Sequence, residues 1–99
     1  MPALSFSSSI SRVAHGHSVK MAEAGNLFHS CVECIRSEHG WQVIGENIAY
    51  GATIREVHRA LMESSYHREN ILCTCFKQVG VGLVKARGLV WVTEIFYRP

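Results

Sequence analysis

Gln78-Val79-Gly80-Val81-Gly82-Leu83-Val84-Lys85, Ala86-Arg87-Gly88 and Leu89-Val90-Trp91-Val92-Thr93-Glu94-Ile95-Phe96-Tyr97 read as two strands joined by a tight turn. The second strand is apolar on both faces. Side chains alternate along a strand, so Leu89, Trp91, Ile95 and Tyr97 fall on one side and Val90, Val92 and Phe96 on the other. Two apolar faces need cover above and below. That requirement predicts an α+β protein, a three-layer α/β/α sandwich with a central antiparallel sheet. Gly80 and Gly82 share one face of their strand, where missing side chains let a helix or a ligand come close. Glu94 is the odd charge on the inner strand, and we read it as paired with a neighbouring basic group rather than as catalytic.

Composition narrows the function. Ninety-nine residues with 47% hydrophobic content suffice for one core, so residues 1–99 are expected to form one domain. Ten basic against eight acidic residues leave a formal charge of +2, with no run of like charges. That balance argues against a nucleic-acid partner. No apolar run approaches the roughly 18 residues of a membrane span, and Met1 to Ile10 has no signal-peptide pattern, so neither a span nor an export signal is expected in this stretch.

Upstream, Ala3-Leu4-Ser5-Phe6 alternates like a short strand, and Ser7, Ser8 and Ser9 offer helix caps. Ile10, Val13, Ala14, His17, Met21 and Ala24 then recur at helical spacing until Gly25-Asn26. His17 lies on the apolar stripe and reads as a core histidine bonded to a backbone carbonyl; His15 and Lys20 point outward. Asn26 to Gly40 reads as a loop with one helical turn around Val32 to Ser37. Thr53-Ile54-Arg55-Glu56 has the form of a capping box, which gives Thr53 and Glu56 structural roles at the head of a helix running to about Ser64. A polar turn carrying Tyr66 and His67 is expected to follow.

Polar groups cluster in Gly45-Glu46-Asn47-Ile48-Ala49-Tyr50-Gly51 and His67-Arg68-Glu69-Asn70. Gly45 is read as letting the backbone turn beside Glu46, whose carboxylate, next to Ile48 and Ala49, is costly to desolvate without a partner. His29 and His67 are the candidates, so a cleft is expected where they meet. Glu63, near the end of its helix, is a further carboxylate within reach of that cleft.

Cys31-x-x-Cys34 and Cys73-x-Cys75 lack the paired knuckle spacing of a zinc ribbon, and a C-x-C in extended chain points its thiols to opposite faces. One disulfide or none is expected.

Seven ordered motifs carry a resemblance: Ala14-x-x-His17-x-x-x-Met21-Ala22, Leu27-Phe28-His29, Trp41, Gly45 to Gly51, His67-Arg68-x-Asn70-Ile71-Leu72, Phe76-x-x-Val79-Gly80-Val81-Gly82 and Trp91-Val92-Thr93-x-x-Phe96. Together they resemble the CAP (SCP/TAPS) superfamily of cysteine-rich secretory, antigen 5 and pathogenesis-related 1 proteins, in its short bacterial branch. The resemblance implies an α/β/α sandwich whose cleft holds two histidines and two glutamates able to bind a divalent metal. His29, Glu46 and His67 match three of these, and the fourth position falls at Glu63 or Ser64, with Ser64 aligned to it. Gly45 and Gly51 frame the Glu46 motif as structural residues. Leu61 stands where the family commonly has tryptophan, and the usual first helix would precede Met1.

The resemblance further implies an extracellular or cell-envelope location. It points to a non-catalytic binding module whose cleft takes a divalent metal such as zinc and a lipid, sterol or cell-envelope ligand. The alternative is a metal-dependent, peptidase-like hydrolase in which bound metal activates water and Glu46 is the base.

Overall fold

The computed structural model describes residues 4–99, and the strand start read at Ala3 lies outside them. The elements are β1 (Ser5–Phe6), α1 (Ser8–Ala24), α2 (Val32–His39), β2 (Val43–Gly51), α3 (Ile54–Glu63), α4 (Ser65–Leu72), β3 (Gln78–Ala86) and β4 (Leu89–Arg98). The sheet order is β1-β3-β4-β2.

The β3–β4 hairpin is the centre of that sheet. Its two-residue loop, Arg87 (φ 56°) and Gly88 (φ 73°), is left-handed at both positions, the geometry that matches the twist of the flanking strands. β4 pairs antiparallel with β3 and β2, and among the described residues the sheet departs from a purely antiparallel one where β1 joins β3 in parallel over two residues.

Both faces are covered, as the two-faced strands require. On one face α1 lays Ile10 and Ala14 on Ile95 and Tyr97, and Met21 and Ala22 on Trp91 and Ile48. Trp41 stacks on Tyr97 at 3.8 Å between ring centroids, and Ile35 of α2 packs beside them. On the other face α3 sets Val57 and Leu61 against Val90, Val92 and Ala49. Leu61 is fully engaged there.

Gly80 and Gly82 let α1 sit this low. A Cβ on Gly82 would lie 2.0 Å from the His15 main-chain nitrogen, and one on Gly80 would lie 2.5 Å from the Ile10 carbonyl carbon. In the space so freed, buried Ser18 donates to the Gly82 carbonyl at 3.0 Å and shares a hydrogen bond with Thr93 at 2.8 Å.

Local signals hold at the helix ends. Ser7 accepts from the Ile10 N–H, Gly25 closes α1 at φ 67°, and Thr53 accepts from the Glu56 N–H while Glu56 reaches back to the Ala52 N–H. His17 is buried with Nε2 at 2.6 Å from the Phe28 carbonyl, while His15 and Lys20 are exposed.

Several expectations are corrected. Residues 45–51 do not turn: they lie inside β2, and Gly45 serves by its missing side chain, since a Cβ there would meet Phe76 at 2.8 Å and Asn70 at 3.0 Å. The single turn near Val32 is a two-turn helix closed by Gly40 at φ 68°. His67 sits in α4 rather than in a polar turn. Two disulfides are present where at most one was expected, Cys31–Cys34 and Cys73–Cys75. The C-x-C segment is a turn following α4 rather than extended chain, so its two sulfurs come to the same side.

Candidate functional site

Among the described residues β2 is an edge strand, paired with β4. Its alternation sends Glu46 and Ile48 toward α1, and Gly45, Asn47 and Ala49 toward α3 and α4. The candidate site wraps this edge.

On the first face Glu46 is 4% exposed, and donors hold both carboxylate oxygens. Oε1 accepts from the Ser30 N–H at 2.9 Å and pairs with His29 Nδ1 at 2.9 Å; Oε2 accepts from the Ser30 hydroxyl. The carboxylate that looked expensive to bury is therefore paired and hydrogen-bonded. Its bond to Nδ1 fixes the ring of half-exposed His29 and leaves Nε2 without a hydrogen bond among the described residues.

On the second face Asn47 is fully buried. Its Nδ2 donates to the His67 carbonyl at 3.0 Å and to Glu94 Oε1 at 3.2 Å, and its Oδ1 accepts from Asn70 Nδ2 at 2.8 Å. Asn47 thus fixes the first turn of α4 to β2. His67 is half-buried, its Nδ1 at 3.0 Å from Ser64 Oγ, with Tyr66 edge-on to its ring. Burial lowers its pKa from the ordinary 6.5, and the charge of His29 lowers it further.

His29 and Glu46 are brought into contact, whereas His67 makes no side-chain hydrogen bond to either among the described residues. Of the two candidates for the fourth position, Ser64 hydrogen-bonds His67, whereas Glu63 is exposed at the end of α3 and makes no hydrogen bond to the cleft among the described residues. No group of three or more His, Cys, Asp or Glu side chains is set to hold a metal ion among those residues. Between α2 and α4 lies a cavity of ≈ 410 Å³, lined by His29, Val32, Ile44, Gly45, Glu46, Tyr66 and Asn70.

Glu94 has an amide, Asn47, as its hydrogen-bond partner rather than a cation. Burial raises its pKa; the Asn47 bond and the charge of His58 act in the opposite sense. Sequence reasoning also missed Ser30, Tyr66, Asn47 and Asn70 as site residues. Asn47 left a signal, because an amide between a carboxylate and Ile48 in an apolar run must find internal partners.

Comparison with known proteins agrees with this architecture. The family model described as the cysteine-rich secretory protein family, CAP, matches residues 1–96. An uncharacterized protein of Bacillus subtilis (strain 168), YkwD, is 44% identical over 55 residues, a match covering 54% of this chain and 21% of that protein. An extracellular protein containing a SCP domain from Bacillus anthracis superposes with a TM-score of 0.82 at 27% identity, over 100% of this chain and 35% of the other. An outer surface protein from Borrelia burgdorferi gives a TM-score of 0.85 at 17% identity, over 99% of this chain and 79% of the other, a likeness of fold. The chain thus spans about a fifth of the curated relative and about a third of the Bacillus anthracis chain. No helix among the described residues is long and apolar enough to cross a membrane. With the family model spanning nearly its whole length and the sandwich and edge-strand cleft in place, this chain belongs to the CAP family.

Proposed function

We propose that this domain is an extracellular, non-catalytic binding module whose cleft over the β2 edge takes a polar cell-envelope ligand and, weakly, a divalent metal ion. One observation carries the non-catalytic assignment: the Glu46 carboxylate is 4% exposed and both of its oxygens already accept hydrogen bonds from His29 and Ser30. It therefore serves to orient His29 and the start of α2. A hydrolase would need that carboxylate free to take a proton from water, and no observation favours that alternative. The extracellular location rests on the relatives described as extracellular and outer-surface proteins.

The lining of the cleft supports a polar ligand over an acyl chain or sterol. Exposed Tyr66 offers a ring for stacking, while His29 and Asn70 offer groups that orient a hydroxyl-rich partner. A metal ion would be held by the Nε2 atoms of His29 and His67, the positions left free once each Nδ1 is engaged. Two protein ligands fall short of the three that a zinc centre ordinarily draws, which accounts for weak affinity. Protonation of the imidazoles competes with the metal, so affinity falls toward pH 5.

Calorimetry with zinc on the wild type, His29→Ala and His67→Ala, alongside a peptidase screen, tests this function. Expected are weak binding at pH 7.5, its loss in both variants and no turnover. Binding by either variant as by the wild type removes the metal site, and metal-dependent peptide cleavage overturns the non-catalytic assignment.

A further inference from the structure

The two disulfides stand in different surroundings. Cys73 and Cys75 are half-buried and pack against the Phe76, Val79 and Phe96 cluster. Cys31 and Cys34 are both exposed, Cys31 just outside α2 and Cys34 in its first turn. Thiol–disulfide exchange requires a thiolate to reach a sulfur, so access separates an exchangeable bridge from an inert one. On that ground Cys31–Cys34 is the more accessible bridge and half-buried Cys73–Cys75 the less accessible one.

Beside the open pair lies a second cavity. A groove of ≈ 310 Å³ runs between α1 and α2 with the Cys31–Cys34 bridge in its wall, Val13 and Ile35 as apolar lining and Arg12 and Lys20 on α1. It is separate from the cleft over the β2 edge and lies at the lower limit of small-molecule sites. Neither Arg12 nor Lys20 forms a salt bridge among the described residues. Glu33, between the two cysteines, is neutralised by Arg36 at 3.0 Å, which also lowers its pKa. The charge facing a molecule in the groove is therefore positive.

We propose that Cys31–Cys34 is a thiol–disulfide exchange site for a small anionic thiol, a carboxylate-bearing peptide thiol of the glutathione type, seated in the groove between α1 and α2. The carboxylates of such a thiol meet Arg12 and Lys20, and its sulfur meets the bridge. The thiol loses its proton and the thiolate attacks Sγ of Cys31, the member outside the helix. A new S–S bond forms as Sγ31–Sγ34 breaks, and the electron pair leaves on Sγ34, which takes up a proton. A second thiolate then attacks the small-thiol sulfur of the mixed disulfide; the small-molecule disulfide departs and Cys31 takes up a proton. Two thiols are oxidised to one disulfide and the protein pair is reduced by two electrons. The small-molecule disulfide drives the same steps in reverse.

Mixtures of reduced and oxidised glutathione, with acid quenching, intact mass and peptide mapping, test this. The Cys31–Cys34 pair should exchange roughly tenfold or more faster than Cys73–Cys75. With oxidised glutathione, Cys34→Ser should accumulate one glutathione adduct on Cys31. Replacing Arg12 and Lys20 together by Ala should slow exchange with glutathione roughly fivefold and leave exchange with neutral 2-mercaptoethanol unchanged. Arg12 and Lys20 are exposed, so the double variant tests recognition without disturbing the core. Equal rates at the two bridges, or no adduct on Cys31, overturn the exchange site. Equal slowing with both thiols, or none with either, overturns recognition by charge.

Discussion

The Asn47 side chain donates a 3.0 Å hydrogen bond to the main-chain carbonyl of His67, twenty residues away, and so ties β2 to the first turn of α4. Its other bonds, to Glu94 and Asn70, are made in a fully buried position. Removing the amide leaves partly buried partners without their bonds, at about 1–3 kcal/mol for a fully desolvated group and less here. Asn47→Ala should therefore cost about 2–3 kcal/mol and lower the melting temperature by roughly 8 °C or more. A melt within about 2 °C of the wild type would mean that α4 is held by other contacts.

His67 should titrate below its ordinary 6.5 in metal-free buffer, because burial first and the His29 charge second disfavour its cation. The folded value is depressed, so this group's contribution to stability is complete above pH 6.5 and is lost as pH falls through the folded value. NMR titration checks the midpoint. In His29→Ala it should move back upward, and an unmoved midpoint would mean that the two rings do not share a field.

Glu94 behaves in the opposite sense. Its carboxyl is raised above 4.5 by burial, so the folded state favours the protonated form. Stability from that preference is complete below pH 4.5 and is lost as pH rises through the folded value. Glu94→Gln keeps an acceptor for Asn47 and removes the charge, so it should raise the melting temperature at pH 7.5 and leave it nearly unchanged at pH 4. Destabilisation at pH 7.5 would show that the charge is used by a partner such as His58.

Gly82→Ala should separate α1 from the sheet. The added methyl would stand 2.0 Å from one α1 backbone atom and 2.2 Å from another, which no rotamer change relieves. The cost should be at least about 3 kcal/mol, with loss of the near-ultraviolet signal of Trp91 beneath the helix. Gly16→Ala is the control, since nothing lies within 4 Å of a Cβ there.

Much of the fold was legible because its signals are local or periodic. The two apolar faces of Leu89 to Tyr97 dictated a covered central hairpin, and Gly80 with Gly82 marked where a helix comes close. Ser7, Gly25, Thr53 and Glu56 marked helix ends by chemistry that acts within four residues. β2 escaped notice because Gly45, Glu46 and Asn47 interrupt its apolar alternation, each for a tertiary reason. Gly45 clears Phe76, Glu46 meets His29 and Ser30, and Asn47 meets α4.

The sequence by itself determined the layering, the hairpin and the caps, because residue type and periodicity act over short range, while its ordered motifs carried the resemblance to the family and drew attention to His29, Glu46 and His67. Tertiary structure alone decided how those three stand to one another. β2 lies at the sheet edge, so His29 bonds Glu46 on one face while Asn47 fixes the backbone of His67 on the other. It also decided that Cys31–Cys34 is exposed and Cys73–Cys75 half-buried, since exposure depends on which helices and aromatic rings come to lie beside a sulfur.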